Sequence, residues 1–166
     1  MENKKYFGNS RQINKQAKAA EAYDTALYVK AYQAGPTYCI RIVKRGISVN
    51  LLNDIAKDMS IAESRLAGLL GIQHATLGRK VRECKLLTLE EGSRVFGMAR
   101  LIGQVYTMIC ESGEPEGFNA AKWVAHWLDR PLPALGGQRP SDFMDTFEGQ
   151  ALISSIVARM QSGAYT

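Results

Sequence analysis

Apolar residues recur at helical spacing along most of the chain. In residues 49–59, Val49, Leu52, Ile55, Ala56 and Met59 fall on one face of a helix. Similar stripes cover residues 89–109 and 147–160, and an Ala-rich segment at 15–33 stops at a Gly-Pro pair. The alternation that predicts strands is weak everywhere. The pattern therefore predicts an all-α fold.

Residues that cap helices stand in front of these stripes. Two Ser/Thr residues have a Glu three positions later, which is the spacing of a capping box and predicts a helix start. Single Ser, Asn, Asp or Thr residues precede other stripes. The predicted caps are Ser48, Ser60 with Glu63, Thr88 with Glu91, Asn119, and Asp145 or Thr146.

Residues 66–83, "LAGLLGIQHATLGRKVRE", predict two short helices joined by a tight turn. Ala67 is small enough for a helix crossing, and Gly71 tolerates a turn with positive φ. The angle between the helices can be fixed by the flanking apolar residues Leu66, Leu70, Ile72 and Leu77. This is the pattern of a DNA-binding helix-turn-helix, although a purely structural helical hairpin would share it. The predicted DNA-contacting residues are Gln73, His74, Thr76, Arg79, Lys80 and Arg82.

Charge is unevenly distributed along the chain. Residues 1–48 hold nine Lys/Arg against three Asp/Glu, whereas residues 107–166 hold four against seven, and the whole chain carries a formal charge of +5. The basic N-terminal segment favours a polyanionic partner, and the alternative is ordinary solvated surface charge. Gly78 lies inside the second predicted helix of residues 66–83, where a glycine lowers helix stability by roughly 1 kcal/mol relative to alanine. It either permits close approach to DNA or only weakens the helix.

The segment 111–117, "ESGEPEG", has turn composition and is the best candidate for a linker. We therefore predict an N-terminal helical extension at 1–47, a DNA-binding and dimerisation domain at 48–112, and a C-terminal domain at 118–166. One helix-turn-helix unit has a small interface, so a homodimer on two half-sites is expected. Val95, Met98 and Val105 are apolar positions that either serve the partner subunit or meet the N-terminal helices.

Other function classes are disfavoured by the sequence. The two histidines, His74 and His126, are far apart, and neither a nucleophile set nor a phosphate loop is visible. The three cysteines have no metal-ligand spacing. We predict no enzyme activity, no catalytic residues, no metal and no cofactor. The first residues do not resemble a signal peptide and no run is long enough to span a bilayer, so a cytoplasmic protein without a membrane partner is expected.

The C-terminal 40 residues carry a rarer pattern, "WLDRPLPALGGQRPSDFMDTFEGQALISSIVARMQSGAYT". With the helix-turn-helix before it, this pattern resembles the Xre-type antitoxins of bacterial RES–Xre toxin–antitoxin modules, also described as ParS- or MbcA-like. The resemblance covers about residues 48–166. The matching C-terminal positions are Trp127, Leu128, Pro131, Leu135, Gly136, Gly137, Pro140, Asp142, Gly149, Arg159, Gly163 and Tyr165.

The resemblance implies a dimeric type II antitoxin with two functional parts. A Cro/Xre-like helix-turn-helix domain would repress its own operon by binding operator DNA. A small helical C-terminal domain would bind and block a RES-domain toxin that degrades NAD. The expected toxin-binding residues are Arg159, Gly163, Tyr165 and Thr166, with Tyr165 covered by the toxin or folded back onto its own chain. The alternative is a free-standing repressor with a C-terminal dimerisation or ligand domain.

Overall fold

The computed structural model describes residues 25–83, 85–113 and 115–161. Helix α1 covers residues 25–33, and seven α-helices follow it in this part of the chain. They are α2 (Pro36–Arg45), α3 (Val49–Asp58), α4 (Glu63–Leu69), α5 (His74–Arg82), α6 (Leu89–Ser112), α7 (Ala120–Leu128) and α8 (Phe147–Gln161). Two short 3-10 helices, Pro133–Leu135 and Pro140–Phe143, separate α7 from α8. The described residues contain no β-strand, only one isolated bridge between Ser48 and Leu86, so the predicted all-α class is confirmed.

Most of the predicted helix starts are confirmed by their capping bonds. Ser48 accepts a bond from the Asn50 amide, and Asn119 accepts one from the Lys122 amide. Thr88 forms the complete capping box, because its hydroxyl accepts from the Glu91 amide while the Glu91 carboxylate accepts from the Thr88 amide. Of the two candidates before α8, Thr146 accepts a bond from the Gly149 amide at 3.0 Å. These caps set the direction in which each helix leaves its loop.

The predicted capping box at Ser60 is wrong. Helix α4 begins at Glu63 with Ala62 as its N-cap, and no side chain caps it. Ser60 instead has φ +56°, and its amide donates to the carbonyl of Lys57. The amide of Ile61 donates to the carbonyl of Ala56, which completes a Schellman motif. Ser60 therefore ends α3 and does not begin α4.

Helix α6 is the centre of the molecule, with α2, α3, α7 and α8 packed against it. Val95, Met98 and Val105 are at most 3% exposed because these helices of the same chain cover them. The alternative in which these residues serve a partner subunit is therefore wrong. Gly103 allows the closest approach, since a Cβ there would lie 2.0 Å from the carbonyl oxygen of Tyr28 in α1.

Amide side chains fix α8 on α6. The buried Gln104 donates from Nε2 to the Ser154 carbonyl at 2.9 Å and accepts from the Ser154 hydroxyl at 2.7 Å. Gln150 donates to the carbonyl oxygens of Arg94 and Met144 at 3.0 and 2.9 Å. Hydrogen bonds of amide side chains at a helix interface fix the register of two helices more narrowly than apolar contact does. The predicted division of the chain into domains stays a prediction.

Candidate functional site

The two helices predicted from residues 66–83 are α4 and α5, and the turn between them follows Leu69. Gly71 has φ +61°, as the sequence predicted. Its amide donates to the Gly68 carbonyl, and the amide of Ile72 donates to the Ala67 carbonyl, which makes this turn another Schellman motif. Ala67 is fully buried, and Leu77 is 1% exposed. The arrangement is consistent with the predicted helix-turn-helix.

An arginine that the sequence analysis did not single out fixes this turn. Arg94 of α6 donates from Nε to the Leu70 carbonyl at 2.7 Å and from a terminal nitrogen to the Gly71 carbonyl at 3.4 Å. These carbonyls belong to the C-cap residue of α4 and the residue after it, where no intrahelical donor is available. Arg94 therefore positions the turn from which α5 departs. No sequence motif indicates it, because 23 or 24 residues separate the partners.

The predicted DNA-contacting residues occupy different environments on α5. Arg79 and Arg82 are exposed, and Gln73 is the exposed N-cap residue of the helix. Lys80 is largely buried and forms an ion pair with Glu91 of α6. The side chains of His74 and Thr76 lie outside the described part of the chain, although both residues belong to α5.

The Lys80–Glu91 pair has an electrostatic consequence. Both side chains are 14% exposed. Burial raises the pKa of the Glu91 carboxyl, but bonds from Lys80 and Thr88 outweigh burial and hold this pKa below its ordinary 4.5. Glu91 is therefore charged near neutral pH, and it ties the basic helix α5 to the start of α6.

Gly78 has no packing role within the described part of the chain. A Cβ built on Gly78 would meet no atom within 4 Å, so the helix backbone is open to solvent there. The neighbouring helix face carries Arg79 and Arg82. A bare backbone beside two arginines leaves room for close approach of a partner.

The second predicted surface lies at the end of α8. Arg159 is exposed in the last turn of that helix. Gly163, Tyr165 and Thr166 lie outside the described residues. In the loop before α8, Gly136 and Gly137 have φ +64° and +84°, a conformation that glycine adopts without strain.

The Pro-x-Asp pattern forms a short 3-10 helix. Pro140 is its first residue, and the Asp142 carboxylate accepts a bond from the Arg139 amide at 3.2 Å. The paired tryptophans of α7 stack, with ring centroids of Trp123 and Trp127 5.7 Å apart, and Trp127 is buried in the core. The 3-10 helix contacts both α7 and α8, so this part of the C-terminal pattern connects the two helices.

Among the residues that the structure describes, no group of three or more His, Cys, Asp or Glu side chains is arranged to hold a metal ion. None of the helices in the described ranges combines the length and apolar character needed to cross a membrane.

Comparison with known proteins identifies the class. Residues 116–163 match the model of the antitoxin Xre/MbcA/ParS C-terminal toxin-binding domain. The chain is 38% identical to the Prs ADP-ribosylating antitoxin of Sphingobium sp. (strain YBL2) over 138 residues, which is 83% of this chain and 87% of that protein. It is 22% identical to Antitoxin Xre of Yersinia enterocolitica serotype O:8 / biotype 1B (strain NCTC 13174 / 8081) over 130 residues, with 78% and 82% of the two chains covered.

The chain belongs to the Xre/MbcA/ParS family of antitoxins. It is an antitoxin of a toxin–antitoxin system, and its C-terminal part is a toxin-binding domain. The resemblance found in the sequence is thereby confirmed at the level of the family.

Proposed function

We propose that this antitoxin binds and blocks a RES-domain toxin that consumes NAD, and that it represses its own operon through α5. The C-terminal match at residues 116–163 carries the first half of this proposal. The exposed Arg79 and Arg82 on α5, beside the open backbone of Gly78, support the second half. The chain acts by binding, without catalysis or a cofactor of its own.

The chemistry of the toxin has two candidates. The resemblance to RES–Xre modules favours a toxin that degrades NAD. The name of the Sphingobium relative favours ADP-ribosylation of Prs. Both reactions break the bond between nicotinamide and ribose, and they differ in whether water or a protein side chain receives the ADP-ribose. Both therefore deplete NAD, and both are blocked by the same steric closure of an NAD site.

The test uses the toxin encoded in the same operon, co-expressed with the full chain. We expect the two proteins to co-purify, and the free toxin to consume NAD labelled in its adenine. Label that appears in free ADP-ribose identifies hydrolysis, and label on a protein identifies transfer. A free-standing repressor would purify alone and leave the toxin active, and this result would overturn the proposal.

The toxin contact is proposed to include Arg159 and the tail residues Gly163, Tyr165 and Thr166. Tyr165 would supply apolar area and a hydroxyl to a toxin pocket. A chain lacking residues 163–166 should then fold and bind DNA normally, while cells that carry the toxin lose NAD. Full protection of NAD by the truncated chain would place the inhibitory contact elsewhere in the domain at 118–166.

The DNA contact is proposed to use Gln73, His74, Thr76, Arg79, Lys80 and Arg82, within a DNA-binding and dimerisation unit at 48–112. If Arg79 contacts a base, Arg79→Ala should weaken the free energy of binding to the cognate operator by about 1–3 kcal/mol. Arg82→Ala should weaken binding to the operator and to a scrambled duplex equally, because a phosphate contact carries no sequence information. Lys80 already has Glu91 as a partner, so Lys80→Ala should have the smallest effect of the three.

Titration of both duplexes at several salt concentrations measures these differences. Unchanged affinity in Arg79→Ala and Arg82→Ala would exclude α5 as the DNA-contacting helix. A homodimer is part of the proposal, because one helix-turn-helix unit has a small interface and specific binding usually needs two half-sites. These half-sites lie about 34–36 Å apart, or a multiple of this distance. Sedimentation at micromolar concentration tests it, and a monomer would contradict it.

A further inference from the structure

A groove of about 720 Å³ lies between α2 and α8, with α6 as its floor. Its walls and edges are mainly apolar, and three large side chains there are more than half exposed. These are Ile40 of α2 (56%), Leu89 of α6 (56%) and Phe147 of α8 (70%). Apolar side chains scattered singly over a surface are common, but three around one concave surface mark an interaction site.

Three polar side chains in the groove form hydrogen bonds within the chain itself. Gln104 and Ser154 bond to each other, and Gln150 bonds to the carbonyls of Arg94 and Met144. These three side chains therefore need no hydrogen bonds from an occupant, which can bind the groove through apolar contact. The α8 wall extends from Phe147 to Ala158, which is roughly 16 Å of helix. This length accommodates about three turns of a docked helix.

The charge around the groove restricts the occupant. Lys44 and Arg100 are the charged residues among the described residues that line it, and both are exposed. Neither belongs to an ion pair within the described ranges. The complementary occupant is a helix with one apolar face and acidic flanks.

Two occupants from the chain itself fit this charge poorly. Residues 1–24 contain five Lys/Arg and three Asp/Glu, so they would bring net positive charge to a positive rim. A second copy joined by a two-fold axis would present the same Lys44 and Arg100 to the first copy. Like charges placed opposite each other in an interface are costly.

We propose that an acidic amphipathic helix of the toxin docks in this groove. The inference rests on the proposed function and extends it. Helix α2 lies outside residues 116–163, which match the toxin-binding domain. The toxin-binding surface of this antitoxin is therefore composite, with one wall from the N-terminal half of the chain and one from α8.

Exposed apolar residues outside the groove provide matched controls. Ile40→Asp and Phe147→Asp place a charge inside the groove. Tyr38→Asp and Leu152→Asp make the same change on α2 and α8, at side chains that are 53% and 39% exposed and do not line it. With the co-expressed toxin, we expect each groove variant to bind at least about tenfold more weakly and each control to bind within about twofold of the unmodified chain.

Charge reversal tests the acidic character of the occupant. Arg100→Glu and Lys44→Glu should each weaken toxin binding about three- to tenfold at low salt, and the difference should shrink in 1 M salt. A synthetic 15-residue helix with Leu on one face and Glu on the others serves as a probe that is independent of the toxin. It should bind the chain in a fluorescence anisotropy titration, whereas a version with Lys in place of Glu should not.

The outcomes separate the groove from the proposed function. If the toxin binds the unmodified chain and the two groove variants equally well, the groove proposal is overturned and the proposed function stands. If the toxin binds none of the chains, the proposed function itself fails. A Phe147→Asp chain that sediments as a monomer while the unmodified chain is a dimer would identify a second copy as the occupant, which also overturns the proposal.

Discussion

Helices α5 and α8 both lie at the surface, but they offer opposite chemistry to a partner. The exposed face of α5 carries Arg79 and Arg82, whereas α8 exposes Phe147 at the edge of the groove. Anchoring differs as well, because α8 is held on α6 by hydrogen bonds of two amide side chains and α5 is held by apolar packing and one largely buried ion pair. A cationic helix suits a charged polymer that is bound by electrostatics, and an apolar helix suits a folded protein partner.

The largest expected effect tests how tightly α8 is packed. A Cβ on Gly149 would lie 1.9 Å from the carbonyl oxygen of Phe143, and the backbone must move to admit it. Gly149→Ala should therefore lower the free energy of unfolding by about 3 kcal/mol or more, at the upper end for overpacking. Urea unfolding measures this loss. A stability within about 0.5 kcal/mol of the unmodified chain would show that the first turn of α8 is loosely held.

A smaller effect is expected at Arg94, which connects the two regions. Arg94→Met keeps the apolar part of the side chain but leaves the Leu70 carbonyl without its donor. The free energy of unfolding should therefore fall by about 1–3 kcal/mol. Arg65→Met is the matched control, since the Arg65–Asp129 pair is exposed and should contribute no more than about 1 kcal/mol. Denaturant unfolding compares them. Equal losses in the two variants would mean that Arg94 does not fix the turn before α5.

The Glu91 carboxylate gives a pH-dependent test of how α5 is anchored. Its folded-state pKa lies below 4.5, so it stabilises the fold above pH 4.5, and this contribution disappears as the pH falls through the lowered pKa. Glu91→Gln should lower the free energy of unfolding by about 1 kcal/mol at pH 7. It should not change this free energy at a pH below the lowered pKa of Glu91. Glu90→Gln, at the exposed neighbour, is the control. Urea midpoints across pH measure both variants, and a pH-independent penalty at Glu91 would exclude the charge as its cause.

The smallest effect has the opposite sign and contrasts directly with Gly149. Since a Cβ on Gly78 meets open space, Gly78→Ala should raise the free energy of unfolding by up to about 1 kcal/mol through helix propensity. If α5 approaches DNA closely at Gly78, the more stable variant should bind the operator more weakly. Thermal melting and operator titration together test this. Operator affinity that is unchanged or higher would show that Gly78 has no role in contact.

Local chemistry in the sequence predicted the helix boundaries well. Thr88 with Glu91, Asn119 and Gly71 act through residues within a few positions, so their spacing is visible in the sequence. Ser60 has the same spacing to Glu63, but its backbone ends α3 in a left-handed conformation, and competition between two local motifs cannot be judged from spacing.

Contacts across the fold could not be predicted. Arg94 meets Leu70 only after the fold has brought α6 next to the turn that follows α4. The groove likewise collects Ile40, Leu89 and Phe147 from three distant segments. In the sequence, each of these apolar residues resembles an ordinary residue on the apolar face of an amphipathic helix. Only the packed helices show which of them remain exposed.

Because α6 lies at the centre of the molecule, proteolytic cleavage between α6 and α7 should leave the two fragments bound to each other. Between α6 and α7 the backbone turns at Gly113 and Gly117, with φ +92° and +75°, and Glu116 beside them is exposed. Exposed turns of this kind are preferred protease sites. Yet α7 and α8 both pack against α6, and α8 is also fastened to it by the amides of Gln104 and Gln150. A nick in this segment should therefore give two bands on a denaturing gel but a single particle in gel filtration, held together as a complemented pair of fragments.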